Sequence, residues 1–169
     1  MKKNQGFSLV ELIVVIAIMA VLVGVLAPAY LRYVEKSRKS TDVSAITDIM
    51  AAGEKVAIDP QFSSENVTSL SVSNSGGSIV IATGTGTTTT TGGTATAGTM
   101  LAEWVAICNA SSENAAYTIK SKEFKDLGFS FSGAIADTGA VTWTAQGADK
   151  LITFSPDFAK KWNLTASGT

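Results

Sequence analysis

The chain has 169 residues, 46% of them hydrophobic, a composition that supports one modest core plus one greasy segment and excludes a disordered protein. Its formal net charge of -1 gives no bulk attraction to nucleic acid, so no nucleic-acid partner is expected. Histidine is absent and cysteine occurs once, at Cys108, which excludes Ser-His-Asp and Cys-His catalysis, His-ligated metals, an intramolecular disulfide and C-x-x-C-H haem attachment.

The N-terminus opens with a short basic leader, Met1-Lys2-Lys3-Asn4-Gln5-Gly6, followed by Phe7-Ser8-Leu9-Val10-Glu11. From Leu12 to Leu31 there is no charged residue, and a helix of that length spans about 30 Å, the thickness of a bilayer core. A charged group inside hydrocarbon costs roughly 2.5 to 3.5 kcal/mol, and Glu11 joins the apolar run as one carboxylate inside its edge. Glu11 is therefore either a functional group or a side chain that snorkels at the headgroup boundary. Within the run, Pro28 lacks an amide hydrogen and its ring clashes with the carbonyl of Gly24, so a kink or locally melted stretch is expected there, unless the pair is simply tolerated as in other membrane helices.

Two signals compete with a membrane anchor of this orientation. Basic residues are fewer before the run (Lys2, Lys3) than after it (Arg32, Lys36, Arg38, Lys39), the reverse of a positive-inside bias for an outward C-terminal domain, although Glu35 and Asp42 are interspersed. Ala27-Pro28-Ala29 mimics a secretory cleavage site that would release a domain starting at Tyr30, but the apolar run is long for that purpose.

Gly6-Phe7-Ser8-Leu9-Val10-Glu11 followed by an uninterrupted apolar run resembles the processing signal of type IV prepilins. The resemblance covers about the first third of the chain. It implies cleavage between Gly6 and Phe7 by a prepilin peptidase, N-methylation of Phe7, and a mature chain whose fifth residue, Glu11, acts in assembly. It further implies other pilin subunits and the pilus assembly machinery as partners, with residence in the cytoplasmic membrane before export to an extracellular filament. Pilins are similar to this chain in having helix breakers near Gly24 and Pro28. The best-known Gram-negative pilins carry a C-terminal disulfide loop, and the single Cys108 departs from that pattern, pointing to a Gram-positive-type pilin or a pseudopilin.

Beyond the apolar run, Val34, Val43, Ile46, Ile49, Met50 and Val56 continue a helical stripe to a terminator at Asp59-Pro60. The expected fold is α+β: a long hydrophobic then amphipathic helix over residues 7–59, with 12–31 as membrane span or filament core, packed on a small antiparallel head over 60–169. Gln61 to Gly77, rich in Ser and Asn, reads as a connecting loop, and Ser78 to Ala82 as a short strand. Residues 83–99 form a Thr/Gly-rich tract expected to be an exposed loop; it lacks the lysine and strand-loop-helix frame of a phosphate-binding loop. Met100, Leu101, Trp104, Val105 and Cys108 fall at helical spacing and predict a packing helix in which Cys108 is a buried apolar residue. Ser121 to Leu127 predicts a helical turn stopped at Gly128. Phe129–Ser132, Val141–Ala145 and Leu151–Ser155 predict an antiparallel meander, and Ser155-Pro156-Asp157 opens a short helix through Trp162.

No metal or other cofactor is expected, because Asp137, Asp149 and Asp157 are too dispersed for a calcium loop. Sequons at Asn66, Asn109 and Asn163 are frequent by chance in a Ser/Thr-rich chain and assign no glycosylation. An enzyme is disfavoured, since no nucleophile has a candidate base. The competing functions are a pilus filament subunit, a pseudopilin of a type II secretion or competence apparatus, and a signal-anchored surface binding domain that never polymerises.

Overall fold

The computed structural model describes residues 8–62, 65–85, 88–89, 98–110 and 115–165. The chain divides into two compact units, residues 1–37 and 38–169. One helix, α1 (Leu9–Ile58), runs through both. Its helical assignment continues through Gly24 and Pro28. In the first unit the described side chains from Ser8 to Tyr33 are all exposed. This is the one helix among the described residues long and apolar enough to cross a membrane.

The second unit is the α+β head. The last two dozen residues of α1 bury Asp42, Val43, Ile46, Ile49, Met50, Ala52, Gly53 and Val56, a three- and four-residue spacing that lays one face on the sheet. The helix stops at Ile58, and Pro60–Phe62 form a single 3₁₀ turn in which the Asp59 carboxylate accepts the Gln61 N–H at 3.0 Å. Then follow β1 (Ser69–Ser75), β2 (Ser78–Thr85), β3 (Thr88–Thr89), α2 (Met100–Ile107), β4 (Ala115–Thr118), α3 (Lys122–Lys125), β5 (Ser130–Ile135), β6 (Val141–Gln146), α4 (Asp149–Phe154) and α5 (Pro156–Lys161). The six strands form one antiparallel sheet, ordered β3-β2-β1-β5-β6, with β4 also pairing with β2.

Alternation decides which sheet face meets α1. Leu70 and Val72 of β1, Ile79 and Ile81 of β2, and Phe131 of β5 point into the core, with Val72 opposite both Ile81 and Phe131. Gly76 and Gly77, at φ +59° and +86°, make the two-residue turn that joins β1 to β2, a pair of positive φ values that suits a hairpin's twist. Asn74 organises the same corner. Its Oδ1 accepts the Gly77 N–H at 3.0 Å, and its Nδ2 donates to the carbonyls of Phe124, Lys125 and Leu127.

Several sequence expectations are corrected. Gln61 to Gly77 is not merely a connecting loop: it contains β1, the strand at the middle of the sheet, because Leu70 and Val72 alternate with serines that occupy the opposite face. The predicted third strand of the meander, Leu151 to Ser155, is helix α4. It follows a turn at Gly147 (φ +65°), and it buries Leu151 while leaving Ile152 and Phe154 partly covered. β4 was not expected from the sequence at all. In the Thr/Gly tract, β2 extends to Thr85 and β3 pairs with its end, while residues 86–87 and 90–97 lie outside the described residues.

Two of the three sequon asparagines have a structural role. Asn109 and Asn163 sit just past α2 and α5 at φ 50° and 51°. Ala110 N–H returns to the Val105 carbonyl at 2.9 Å and Leu164 N–H to the Ala159 carbonyl at 2.8 Å, the paired bonds with which a left-handed residue closes a helix.

Candidate functional site

The expected processing residues Gly6 and Phe7 lie outside the described residues. Glu11 is in the first turn of α1, where its Oε2 accepts the Ser8 backbone N–H at 2.9 Å. Ser8-Leu9-Val10-Glu11 thus supplies half of a capping box, a local S-x-x-E signal that the sequence reading passed over. The same carboxylate favours the positive end of the helix macrodipole. Beyond it, the large apolar side chains from Leu12 to Leu31 are about half exposed or more. Gly24 and Pro28 belong to this stretch, and a Cβ on Gly24 would meet nothing within 4 Å.

A second carboxylate on the same helix has the opposite environment. Asp42 is 0% exposed. Its Oδ1 accepts the Tyr117 hydroxyl at 2.8 Å and the Lys120 N–H at 3.0 Å, and its Oδ2 accepts the Ser121 N–H at 2.7 Å. These bonds fasten α1 to β4 and to the segment that leads from it into α3. They satisfy a buried charge that would otherwise be costly. Burial, and then the bond to Asp42, push the Tyr117 hydroxyl well above its ordinary range. The sequence shows Asp42 only as an acidic residue interspersed among basic ones, and only the fold brings its partners within reach.

The helix is pinned elsewhere by Trp104, whose Nε1 donates to the Ile49 carbonyl at 2.9 Å, and by Trp143, whose Nε1 donates to Glu54 at 3.2 Å. Lys39 pairs with Glu123 and lies 5.6 Å from the ring centres of both Phe124 and Phe154. Cys108 is half-buried at the end of α2, and burial pushes its thiol from 9.0 up to about 11, which suits packing and opposes nucleophilic use. Among the described residues no group of three His, Cys, Asp or Glu side chains is placed to hold a metal ion.

A helix with an uncharged run from Leu12 to Leu31, whose continuation packs on a small antiparallel sheet, defines a pilin-like α+β fold. Residues 1–27 match the family described as the prokaryotic N-terminal methylation motif. The chain is also similar to the fimbrial protein EcpC of Eikenella corrodens, 36% identical over 64 residues. That match covers 38% of this chain and 39% of the relative, well under half of either. No solved structure matches. The motif and the fimbrial relative support a likeness to type IV pilins.

Proposed function

We propose that this chain is the structural subunit of a type IV pilus filament, cleaved after Gly6, methylated at Phe7 and polymerised through α1. The observation that carries the reading is the pairing of an exposed, charge-free helical run with a single carboxylate, Glu11, at its N-terminal edge. Cleavage would leave a charged amine on Phe7, and burying that amine among apolar helices requires an opposite charge. Glu11 of a neighbouring subunit supplies it: Oε1 accepts no hydrogen bond among the described residues, while Oε2 is held by Ser8.

Before assembly the apolar run spans the cytoplasmic membrane once, where the prepilin peptidase and the assembly machinery act on the subunit. Afterwards the same run forms the filament core and the head faces outward at the cell surface. Gly24 and Pro28 mark where α1 bends or unwinds in the polymer, since neither holds the helix strongly. The single Cys108, which can close no disulfide within one head, fits a Gram-positive-type pilin and fits a pseudopilin equally.

The test is mass spectrometry of intact protein and N-terminal peptides from material sheared off the native cell surface. A peptide beginning at methylated Phe7 is expected. A chain that retains Met1 to Gly6, or one that starts at Tyr30, would refute processing of this kind.

A further inference from the structure

The charges of the head are sorted by position. From Val56 to Ile119 the sequence contains no Lys or Arg and four carboxylates, Asp59, Glu65, Glu103 and Glu113. Asp59 and Glu65 line a cavity beyond the C-terminal end of α1, and Asp137 joins them there. The opposite end of the head, where α1 enters, is basic. Lys39 pairs with Glu123, and the buried Asp42 accepts the Lys120 and Ser121 N–H groups, so residues 120–125 are fixed beside the start of the packed half of α1. Arg38, Lys120, Lys122 and Lys125 are exposed, and with the half-buried Lys39 they make five cations against two exposed carboxylates, Glu123 and Asp126. Among the described residues, Lys120, Lys122 and Lys125 form no ion pair. The two ends lie about 30 Å apart along α1, several times the screening length of roughly 8 Å in physiological salt. The basic end therefore acts on its surroundings without cancellation by the acidic one, and the chain's net charge of -1 does not describe it.

We propose that this basic end of the head, with Arg38, Lys120, Lys122 and Lys125 on it, binds anionic phospholipid headgroups at the membrane surface; the inference rests on the membrane-resident stage of the proposed function and assigns the head a contact there. Charge complementarity names the partner class, and the tether selects the bilayer. Arg38 follows Leu31 by seven residues, so a membrane that holds Leu31 is at most about 25 Å away, however the first unit is oriented. Nucleic acid would have to be captured from solution, whereas the headgroups are held at high effective concentration. Each Lys or Arg near an anionic surface strengthens the contact about fivefold. The surplus of Arg32, Lys36, Arg38 and Lys39 after the apolar run opposes the usual orientation bias of membrane insertion. A headgroup contact gives that surplus a use on the outward side.

The experiment reconstitutes the full chain in vesicles of phosphatidylcholine alone or with about 30% phosphatidylglycerol, and follows reductive methylation of each lysine by peptide mass spectrometry. Only a neutral amine reacts, and a surface potential of about -30 mV raises the local proton activity roughly threefold. Lys120, Lys122 and Lys125 should therefore react about threefold more slowly, or slower still, in the anionic vesicles. The exposed Lys55, about 25 Å from Arg38 along α1, should keep its rate. About 0.5 M NaCl, which shortens the screening length to roughly 4 Å, should remove the difference. Flotation and carbonate extraction report insertion separately. A chain that does not insert overturns the membrane-resident reading, and this inference with it. A chain that inserts but shows no slowing at the three lysines, or equal slowing at Lys55, overturns this inference alone. Slowing of the three lysines by a DNA duplex in detergent but not by anionic vesicles would also overturn it and assign the surface to nucleic acid.

Discussion

The two halves of α1 have the same backbone and opposite surroundings. From Leu9 to Tyr33 every residue is exposed, whereas from Asp42 onward burial recurs every three or four residues against the sheet. Apolar side chains in the second half contribute to folding of the head. Those in the first half gain nothing until a bilayer or another subunit covers them. The helix is thus one element with two separable roles, and each half can be altered to show which role it serves.

The sharpest contrast is between the two carboxylates. Glu11→Ala should abolish filament assembly while leaving membrane insertion and the head's Tm unchanged, as read by sheared-filament yield, membrane fractionation and thermal melting of the head. Normal filaments from that variant would remove the charge-pairing mechanism. Asp42→Ala should do the reverse at its source, destabilising the head by about 3 kcal/mol, because the Ser121 N–H is left buried without an acceptor and two more donors lose theirs. An unchanged Tm in Asp42→Ala would mean that water replaces the carboxylate and that the latch between α1 and β4 is not what secures the helix.

Glycines sharpen the same comparison with a smaller effect. A Cβ on Gly53 would lie 2.8 Å from Cζ2 of Trp104 and 3.2 Å from Cδ1 of Leu70, so the helix approaches Trp104 closely only because no side chain intervenes. Gly53→Val should therefore cost about 2 kcal/mol of head stability. Gly24→Ala meets open space and should raise the helicity of the first half by about 1 kcal/mol without moving the head's Tm. Chemical denaturation of both variants measures this, and equal effects on the head would erase the distinction between the halves.

The first half was largely legible in the sequence because its features are local: a charge-free run, a carboxylate at fixed spacing and a glycine-aromatic pair need no tertiary contact to be read. The head was legible only where periodicity was strong. Met100, Leu101 and Trp104 gave α2, and the alternation around Phe131 and Trp143 gave β5 and β6. β1 was obscured because serine fills its outer face, so composition resembled a loop although Leu70 and Val72 kept a period of two. Leu151 to Ser155 was too short to separate strand from helix by pattern, and the turn at Gly147 decided it. Asp42 could not have been recognised as a buried anchor, since its partners lie 75 or more positions away and polarity alone argues for exposure.

The smallest effect concerns Cys108, which lies where the second half of α1 meets the end of α2. With its thiol pushed up to about 11 by burial, the folded chain holds the reactive thiolate at roughly one hundredth of its unfolded level near pH 8. Iodoacetamide should therefore label native protein about a hundredfold more slowly than urea-unfolded protein. The sign of the coupling follows: a folded pKa above the unfolded one stabilises the head fully below pH 9.0 and is lost as pH rises through about 11. The labelling rate should climb over that interval in the folded chain, one that the unfolded chain enters already half ionised. Equal labelling of native and urea-unfolded protein would mean that the fold does not hold the thiol in a buried setting.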